Sequence, residues 1–293
     1  MGPYRQYLVI FSLLISHTIW GTTAEFSLQN PYQSMHNKGL LLIDAIHGTY
    51  QNPALIVSSP RSQIQTSYQS ESLGLDFFSV AGLSPYQYNN HLIWLGFSAS
   101  TSEASLIKSE SKGTSSRPTS SGSFTAADRQ LQVSVAYPIT PKLTIGARGS
   151  YRNREIGTYT AQAVVGDAGI LFTHNQFKLG AHTENLLNNT LAWEHDVTEE
   201  LLTKYYLQGS YTHQFLTGQL TLDSENLIYP ALALRQNNLT LYSQFTLDDG
   251  ALDGYTLGLN FQLAQVDIGY QYQDISKSGL AITQSLMWLG FTF

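Results

Sequence analysis

The chain has 293 residues, and its 21 acidic residues outnumber its 15 basic ones, which gives a net charge of −6. This balance argues against nucleic acid as a partner, because nucleic-acid binding requires a basic patch or stripe. Only 12% of the residues are charged, about half the share that is usual in soluble proteins. A protein that faces lipid on its outside and encloses water does not need more charged residues. The absence of cysteine excludes disulfides and cysteine-ligated metals, and we expect no cofactor.

The first residues have the layout of a secretory signal peptide. Arg5 is the only charged residue before Glu25, an apolar core covers residues 7–15, and small residues favour cleavage after Ala24. The apolar core is too short to cross a bilayer. We therefore expect residues 1–24 to be removed during export into the envelope of a Gram-negative bacterium.

Residues 25–61 do not alternate as a strand does. Residues 40–46 are mostly apolar and indicate a short helical or coiled turn, while Pro53 disfavours the α region for Asn52. The favoured interpretation is a segment that caps or plugs one end of a barrel. A specific ligand site in this segment is the alternative.

Residues 62–293 alternate between apolar side chains and amide, hydroxyl or glycine positions, with turn residues at intervals. Segment 253–263 shows the pattern best, because one of its faces carries Tyr255, Leu257, Leu259, Phe261 and Leu263. Such alternation is typical of a membrane-spanning barrel. We predict an all-β fold, a transmembrane antiparallel β-barrel of about fourteen strands, within a range of roughly twelve to sixteen.

The connections between the predicted strands differ at the two ends of the barrel. Short turns fall at one end, and the longest connections, residues 102–126 and 187–199, fall at the other. Outer-membrane barrels have short periplasmic turns and longer outer loops, so we expect a periplasmic C-terminus. Residues 102–126 are interpreted as a solvated, mobile loop, with partner recognition as the alternative. Residues 190–194 are a candidate further strand.

The last strand places apolar side chains on one face, because side chains alternate along a strand. These residues are Met287, Leu289, Phe291 and Phe293. The strand resembles the closing strand of bacterial outer-membrane barrels, whose terminal Phe and alternating apolar positions serve as the assembly signal. The resemblance implies contact with the barrel assembly machinery and with outer-membrane lipid.

Two stretches carry a more specific family resemblance. The first is the Asn52-Pro53-Ala54 element, which comes shortly before the first strand, and the second covers residues 143–185 with short glycine-containing motifs. Together they resemble the PorV/PorQ-type outer-membrane proteins, which are similar to the FadL-like long-chain fatty acid transporters. The resemblance implies a fourteen-stranded barrel with an N-terminal segment folded into or against the lumen. For the branch that belongs to the secretion machinery, the resemblance also implies a role in protein secretion. For the fatty acid branch, it implies diffusion of hydrophobic molecules.

Enzymatic chemistry is not expected from this sequence. A serine hydrolase would need an activated nucleophile with a base in reach, and no Gly-x-Ser-x-Gly element is present. The histidines are scattered along the chain. His182 and Glu184 share a strand face, but without a third ligand they do not predict a metal site.

Charged residues on lumen-facing positions are the best candidates for function. They are Arg148, Arg152, Arg154, Lys178, His182, Glu184 and Asp267. Buried charges are costly unless they are paired or hydrated, so one interpretation is that arginine–carboxylate bridges fill the lumen. The other is a selectivity constriction or a site for an anionic head group, which arginine binds bidentately.

The sequence favours transport across, or secretion through, the outer membrane. The expected cargo or partner is a hydrophobic or anionic small molecule or a secreted protein. One alternative is a barrel scaffold that binds a protein partner through its outer loops, and another is an exported soluble β protein. A blocked lumen would favour the scaffold, whereas a continuous apolar path or a lateral break between strands would favour transport.

Overall fold

The computed structural model describes residues 45–72, 74–89, 91–110, 119–187, 190–194, 197–277 and 280–293. The expected signal peptide, residues 1–24, and the first part of the expected plug, residues 25–44, lie outside the described residues. Both therefore stay predictions.

Sixteen antiparallel strands form one sheet in the described part of the chain. Fourteen of them, β1–β7 and β10–β16, form a closed barrel. Each of these strands pairs with the next along the chain, and β7 pairs with β10. The first and last strands, β1 and β16, pair with each other and close the sheet. The prediction of an all-β barrel of about fourteen strands is confirmed. The strands are β1 (Gln63–Glu71), β2 (Leu75–Tyr88), β3 (His91–Glu110), β4 (Thr119–Thr140), β5 (Leu143–Ile156), β6 (Tyr159–His174), β7 (Phe177–Leu187), β8 (Thr190–Trp193), β9 (Thr198–Glu200), β10 (Lys204–His213), β11 (Leu216–Asp223), β12 (Ile228–Gln236), β13 (Leu239–Asp248), β14 (Ala251–Leu263), β15 (Val266–Lys277) and β16 (Leu280–Thr292).

The barrel is apolar outside and polar inside. On β14, Leu257, Leu259 and Phe261 are exposed, whereas Thr256 and Asn260 on the opposite face of the strand are buried. A closed sheet satisfies its backbone hydrogen bonds internally, so it is suited to a lipid environment. The exposed apolar face therefore favours the membrane protein over the soluble alternative.

Among the described residues, no helix is long and apolar enough to cross a membrane.

The two ends of the barrel are built differently. At one end, here called the short-turn end, tight hairpins join the strands, and Asn175 and Asn237 adopt the positive φ angles of 54° and 52° that such turns require. The described segment preceding β1 and the end of β16 also lie at this end. The opposite end, called the long-loop end, carries the connections between β3 and β4 and between β7 and β10.

The interpretation of residues 102–126 as a mobile loop is wrong for most of that range. β3 runs to Glu110 and β4 begins at Thr119, and among the described residues the strand pairing beyond Ala104 and Ala126 joins these two strands only to each other. We call this extension the β3–β4 ribbon. Ser and Thr form strands readily when a partner strand supplies the pairing, and composition alone does not reveal that partner. Residues 187–199 include the candidate further strand as β8, followed by β9.

The described N-terminal part packs against the inner wall of the barrel. It contains two short 3₁₀ helices, Ala45–Thr49 and Pro53–Ser58. Ile46, Tyr50 and Ile56 join Trp94 and Trp288 of the wall in one buried apolar cluster. The apolar core of the protein therefore lies where residues 45–59, called the inner segment below, meet the barrel.

Candidate functional site

Asn52 fastens the inner segment to the wall. Its Nδ2 donates to the backbone oxygens of Ile170 on β6, at 3.3 Å, and Ala181 on β7, at 3.4 Å. Its Oδ1 accepts from the backbone nitrogen of Ala54 at 3.0 Å, which caps the second 3₁₀ helix, and Pro53 follows at the first helical position. One side chain thus starts the helix and binds two neighbouring strands.

The wall comes close to Asn52 and Pro53 because it carries glycines there. A Cβ atom on Gly169 would lie 2.1 Å from Asn52 Oδ1, and one on Gly146 would lie 2.4 Å from the backbone nitrogen of Ala54. Neither distance is compatible with packing, so only glycine permits this approach. The glycine-containing motifs of residues 143–185 and the Asn52-Pro53-Ala54 element are therefore two sides of one contact.

Two further side chains of the wall hold the inner segment. Trp94 Nε1 donates to the backbone oxygen of Ser59 at 2.8 Å, and Arg148 Nη1 donates to that of Thr49 at 3.2 Å. Together with Asn52, these contacts fix the segment near both of its ends.

Arg148 also forms a buried ion pair. Its Nε donates to Asp167 Oδ2 at 2.6 Å, and the two side chains are 0% and 1% exposed. Asp167 Oδ1 accepts from the backbone nitrogen of Asn185 at 2.7 Å. The geometry explains how two charges remain inside the barrel, because each is both paired and hydrogen bonded.

Arg154 forms a second bridge nearer the long-loop end. Its Nε and Nη2 both donate to Asp128 Oδ2 at 3.1 Å, and its Nη1 donates to Glu199 Oε1 at 3.2 Å. Glu199 lies on β9 and also accepts from Trp193 Nε1 at 3.1 Å. Arg154 thereby fixes the β7–β10 connection against the wall.

Arg152 lies between these two bridges without one of its own. Its cross-strand neighbours are Gln130 on β4 and Ala163 on β6. Its Nε is buried and has no hydrogen-bond partner in the described part of the chain. Of the three predicted arginines, two therefore fill the lumen as bridges and one does not.

His182 and Glu184 lie on the inner face of β7, as the sequence predicted. The ring of His182 stacks on Tyr206 with centroids 4.4 Å apart, and Tyr206 donates its hydroxyl to Glu184 Oε2 at 3.4 Å. His182 Nε2 lies 3.9 Å from Glu184 Oε1. No group of three or more potential metal ligands occurs in the ranges that the structure describes.

The structure does not bring Lys178 and Asp267 to this cluster. Lys178 lies nearer the short-turn end of β7, opposite Ser210. Asp267 lies on β15, where Asn260 Nδ2 donates to its Oδ2 at 3.4 Å. The seven charged residues therefore do not form one joint site. The three arginines of β5 lie near His182 and Glu184 of β7, whereas Lys178 and Asp267 lie apart from them.

Sequence reasoning missed the carboxylates that pair with the arginines. Asp128 continues the inner face of β4 that carries Gln130, and this alternation was the signal that could have found it. Asp167 lies within the glycine-containing stretch 143–185, but its position in the lumen was not predicted. Glu199 lies on a short strand that no periodicity predicted.

The apolar residues predicted as the assembly signal are exposed on the outward face of the barrel, on or just after β16. They are Met287, Leu289, Phe291 and Phe293. The backbone nitrogen of Phe293 donates to the oxygen of Ser62, at 2.9 Å. Their role as an assembly signal stays a prediction.

The barrel wall is irregular between β6 and β7. Gly166 is opposite Leu187, whereas Ala168 is opposite Thr183, so residues 184–186 are all accommodated across from Asp167. Asn185, in the middle of this bulge, has a φ of 55°. Beyond it, β6 pairs with the short strand β8 instead of β7. A bulge of this size bends the strand and interrupts its hydrogen bonds.

Solved structures with this architecture include several hydrocarbon channels. The Pseudomonas putida toluene transporter TodX matches with a TM-score of 0.59 and 12% identity over 84% of this chain and 92% of that one. The Ralstonia pickettii toluene transporter TbuX matches with a TM-score of 0.59 and 11% identity over 85% of this chain and 94% of that one. CymD, a monoaromatic hydrocarbon channel, matches with a TM-score of 0.59 and 9% identity over 84% of this chain and 92% of that one. The chain has their fold. No family model and no curated protein matches the sequence.

The shared fold confirms the fourteen-stranded barrel that the sequence resemblance implies, and the FadL-like assignment stays a prediction. The PorV/PorQ assignment stays a prediction.

Proposed function

We propose that the protein is an outer-membrane channel that passes small hydrophobic molecules through its barrel. The observation that carries this proposal is the bulge between β6 and β7. Leu186 and Leu187 beside it are 44% and 66% exposed on the outward face. We infer that β6 and β7 separate at this bulge into a lateral break, which gives a hydrophobic solute a leucine-lined route between lumen and lipid that avoids the polar surface.

The inner segment lies next to this break. Asn52 binds β6 and β7 at the register pair Ile170 and Ala181, on the short-turn side of the bulge. A molecule entering from the long-loop end therefore meets the inner segment and the bulge together. This arrangement supports passage sideways through the wall.

The choice of cargo to test comes from the structural likeness. TodX and TbuX are described as toluene transporters and CymD as a monoaromatic hydrocarbon channel. We therefore take toluene as the first cargo. An outer-membrane location with a periplasmic C-terminus belongs to the same proposal, and the short turns at the end where β16 finishes support it.

The test closes the break with an engineered disulfide. The chain has no cysteine, so the double variant Gly166→Cys/Leu187→Cys introduces one pair, at facing positions of β6 and β7. Facing residues of antiparallel strands have the Cα separation that a disulfide needs. Toluene uptake by cells or proteoliposomes should fall on oxidation and recover on reduction.

The matched control is Leu257→Cys/Tyr272→Cys, a facing pair on β14 and β15 away from the bulge. Its oxidation should leave toluene uptake unchanged. Wild-type protein that takes up no toluene, or a crosslink at the bulge that changes nothing, would overturn the proposal.

A protein-binding scaffold is the second candidate function. The β3–β4 ribbon favours it, because in the described part of the chain its strand pairing with the rest of the barrel ends at Ala104 and Ala126. Unpaired strand edges can accept a strand from another protein. Deleting residues 106–123 should leave toluene uptake intact and reduce retention of secreted proteins at the cell surface. Unchanged retention would eliminate this candidate.

A further inference from the structure

Four neighbouring hairpins form a continuous surface at the short-turn end of the barrel. This surface, called the basic arc, comprises residues 137–144, 172–178, 211–217 and 234–240. Backbone hydrogen bonds connect its hairpins in series, from Thr173 to Lys142 at 2.8 Å, from Thr212 to Gln176 at 2.9 Å, and from Arg235 to Phe215 at 2.7 Å. The hairpins are therefore held side by side along one part of the rim.

The basic arc contains cations and histidines but no aspartate or glutamate. These residues are Lys142, His174, Lys178, His213 and Arg235, and Lys142 and Arg235 are exposed. The whole chain has a net charge of −6, so the basic arc is opposite in sign to the protein that carries it.

The acidic side chains lie elsewhere. At the short-turn end, Asp267 is on β15, outside the basic arc, and accepts a hydrogen bond from Asn260. The long-loop end has exposed carboxylates in its connections, among them Glu225, Asp248 and Asp249. The two ends of the barrel therefore present opposite charges to their surroundings.

Aromatic rings lie beside the histidines of the basic arc. The ring centroids of Phe172 and His174 are 6.4 Å apart, and those of Tyr211 and His213 are 6.5 Å apart. Phe177 lies 4.6 Å from Tyr211 and is 54% exposed. Aromatic residues at the rim of a membrane barrel occupy the level where hydrocarbon meets the lipid head groups. The cations of the basic arc therefore lie at the level of the head groups.

The chemistry of these side chains matches a phosphate on an apolar body. Lysine and arginine attract phosphate oxygens, and an imidazole ring has at least one N–H donor for them whether it is neutral or protonated. A zwitterionic head group carries an ammonium group that offsets its phosphate, whereas an anionic head group does not. Clustered cations at a membrane surface consequently favour anionic lipids.

We propose that the basic arc binds anionic phospholipids of the leaflet that surrounds the short-turn end, with the phosphates at its cations and histidines and the acyl chains along its aromatic rings. The inference rests on the membrane-spanning barrel of the proposed function but not on the molecule that the barrel passes. An acidic protein is the competing occupant. The exposed rings among the cations favour lipid, because a lipid supplies the apolar contact and the negative charge together.

The test measures lipid selectivity with the full protein in phosphatidylcholine vesicles. A trace of spin-labelled phosphatidylglycerol or phosphatidylcholine reports, by electron paramagnetic resonance, how strongly each lipid associates with the protein. Wild type should prefer phosphatidylglycerol, and added salt should weaken this preference. One cation near an anionic surface contributes roughly fivefold in binding, so Lys142→Gln/Arg235→Gln should lose most of the preference. The matched control is Arg129→Gln/Lys204→Gln, which removes two cations that each pair with a glutamate toward the long-loop end.

A second pair of variants tests the location on a single strand. His174 and Gln162 are both exposed on the outward face of β6, near its opposite ends. His174→Asp places a carboxylate among the rings of the basic arc and should lower phosphatidylglycerol association by repulsion. Gln162→Asp adds the same carboxylate near the long-loop end and should leave the association unchanged.

Equal association of both lipids with wild type would overturn the proposal, even if the basic arc bound an acidic protein. Equal losses in Lys142→Gln/Arg235→Gln and its control would also overturn it, because overall charge would then explain the preference. Toluene uptake separates this proposal from the channel. A lipid preference that depends on the basic arc in a protein that takes up no toluene supports the lipid site and overturns the hydrocarbon route, and toluene uptake without a lipid preference does the opposite.

Discussion

Arg148 and Asp167 form a buried ion pair in which each partner also holds a different part of the protein. Arg148 donates to Thr49 of the inner segment, and Asp167 accepts from Asn185 in the bulge of β7. Asn185 in turn donates its Nδ2 to the backbone oxygen of Leu202 at 2.9 Å. The inner segment and the irregular part of the wall are therefore connected through one pair of charges.

Replacing Asp167 should loosen both ends of this connection. Asp167→Asn removes the negative charge and leaves Arg148 buried without a counter-charge, which costs about 3–5 kcal/mol of stability. Hydrogen exchange should rise in residues 45–59 and in residues 183–187 together. The control is Asp128→Asn, which affects only the Arg154 bridge and should leave residues 45–59 protected. Faster exchange in one of the two segments alone would show that they are not coupled.

A methyl group on the wall should displace the inner segment. In Gly169→Ala the new Cβ would lie 2.1 Å from Asn52 Oδ1, so Asn52 must move and lose its contacts with β6 and β7. We expect a higher single-channel conductance in planar bilayers. Gly149→Ala is the matched control, because a Cβ there meets no atom within 4 Å. Equal conductance of the two variants would argue against the inner segment as an obstruction.

Removing the Asn52 side chain should also loosen the inner segment, but less than Gly169→Ala does. Asn52→Ala loses the cap and the two wall contacts, each worth about 1 kcal/mol. The absence of native cysteine allows a clean measurement through Ile56→Cys, because Ile56 is 0% exposed. Maleimide should label the cysteine introduced by Ile56→Cys faster when the protein also carries Asn52→Ala than when Asn52 is retained. Identical labelling rates would mean that other contacts suffice to hold the segment.

Phe293 should matter for assembly more than for the stability of the finished barrel. Its side chain is 70% exposed, so little packing is lost when it is changed. Phe293→Ser should reduce the yield of heat-modifiable barrel in the outer membrane while leaving the thermal unfolding of refolded protein nearly unchanged. Leu263→Ser, at an exposed position near the same end, controls for loss of lipid contact. A normal yield for Phe293→Ser would contradict the assembly role.

Alternation along the chain was enough to predict the barrel, because the strands of the barrel have one apolar outward face and one polar face toward the lumen. It also predicted that Arg148, Arg152 and Arg154 point inward. It did not predict which of them are paired, because pairing depends on the register that sets Asp167 opposite Arg148 and Gln130 opposite Arg152. The register depends on how two neighbouring strands pair, so the sequence of one strand alone does not determine it.

The same limit applies to the β3–β4 ribbon and to the wall glycines. Serine-rich sequence indicates a loop unless its partner strand is known, and Gly169 looks like an ordinary lumen position until Asn52 is placed against it. Both features arise from contacts between distant parts of the chain. Local pattern could therefore give the architecture and the inner face, while the inner segment's binding site required the folded protein.

The position of Asn52 has a consequence for how the molecule is made. Its two acceptors on β6 and β7 come 118 and 129 residues later in the chain. The binding site for the inner segment exists only after those two strands have paired. The segment is synthesised before the strands that receive it, so it has no binding site until those strands are in place. The inner segment is thus synthesised before β6 and β7 but reaches its final position only after them.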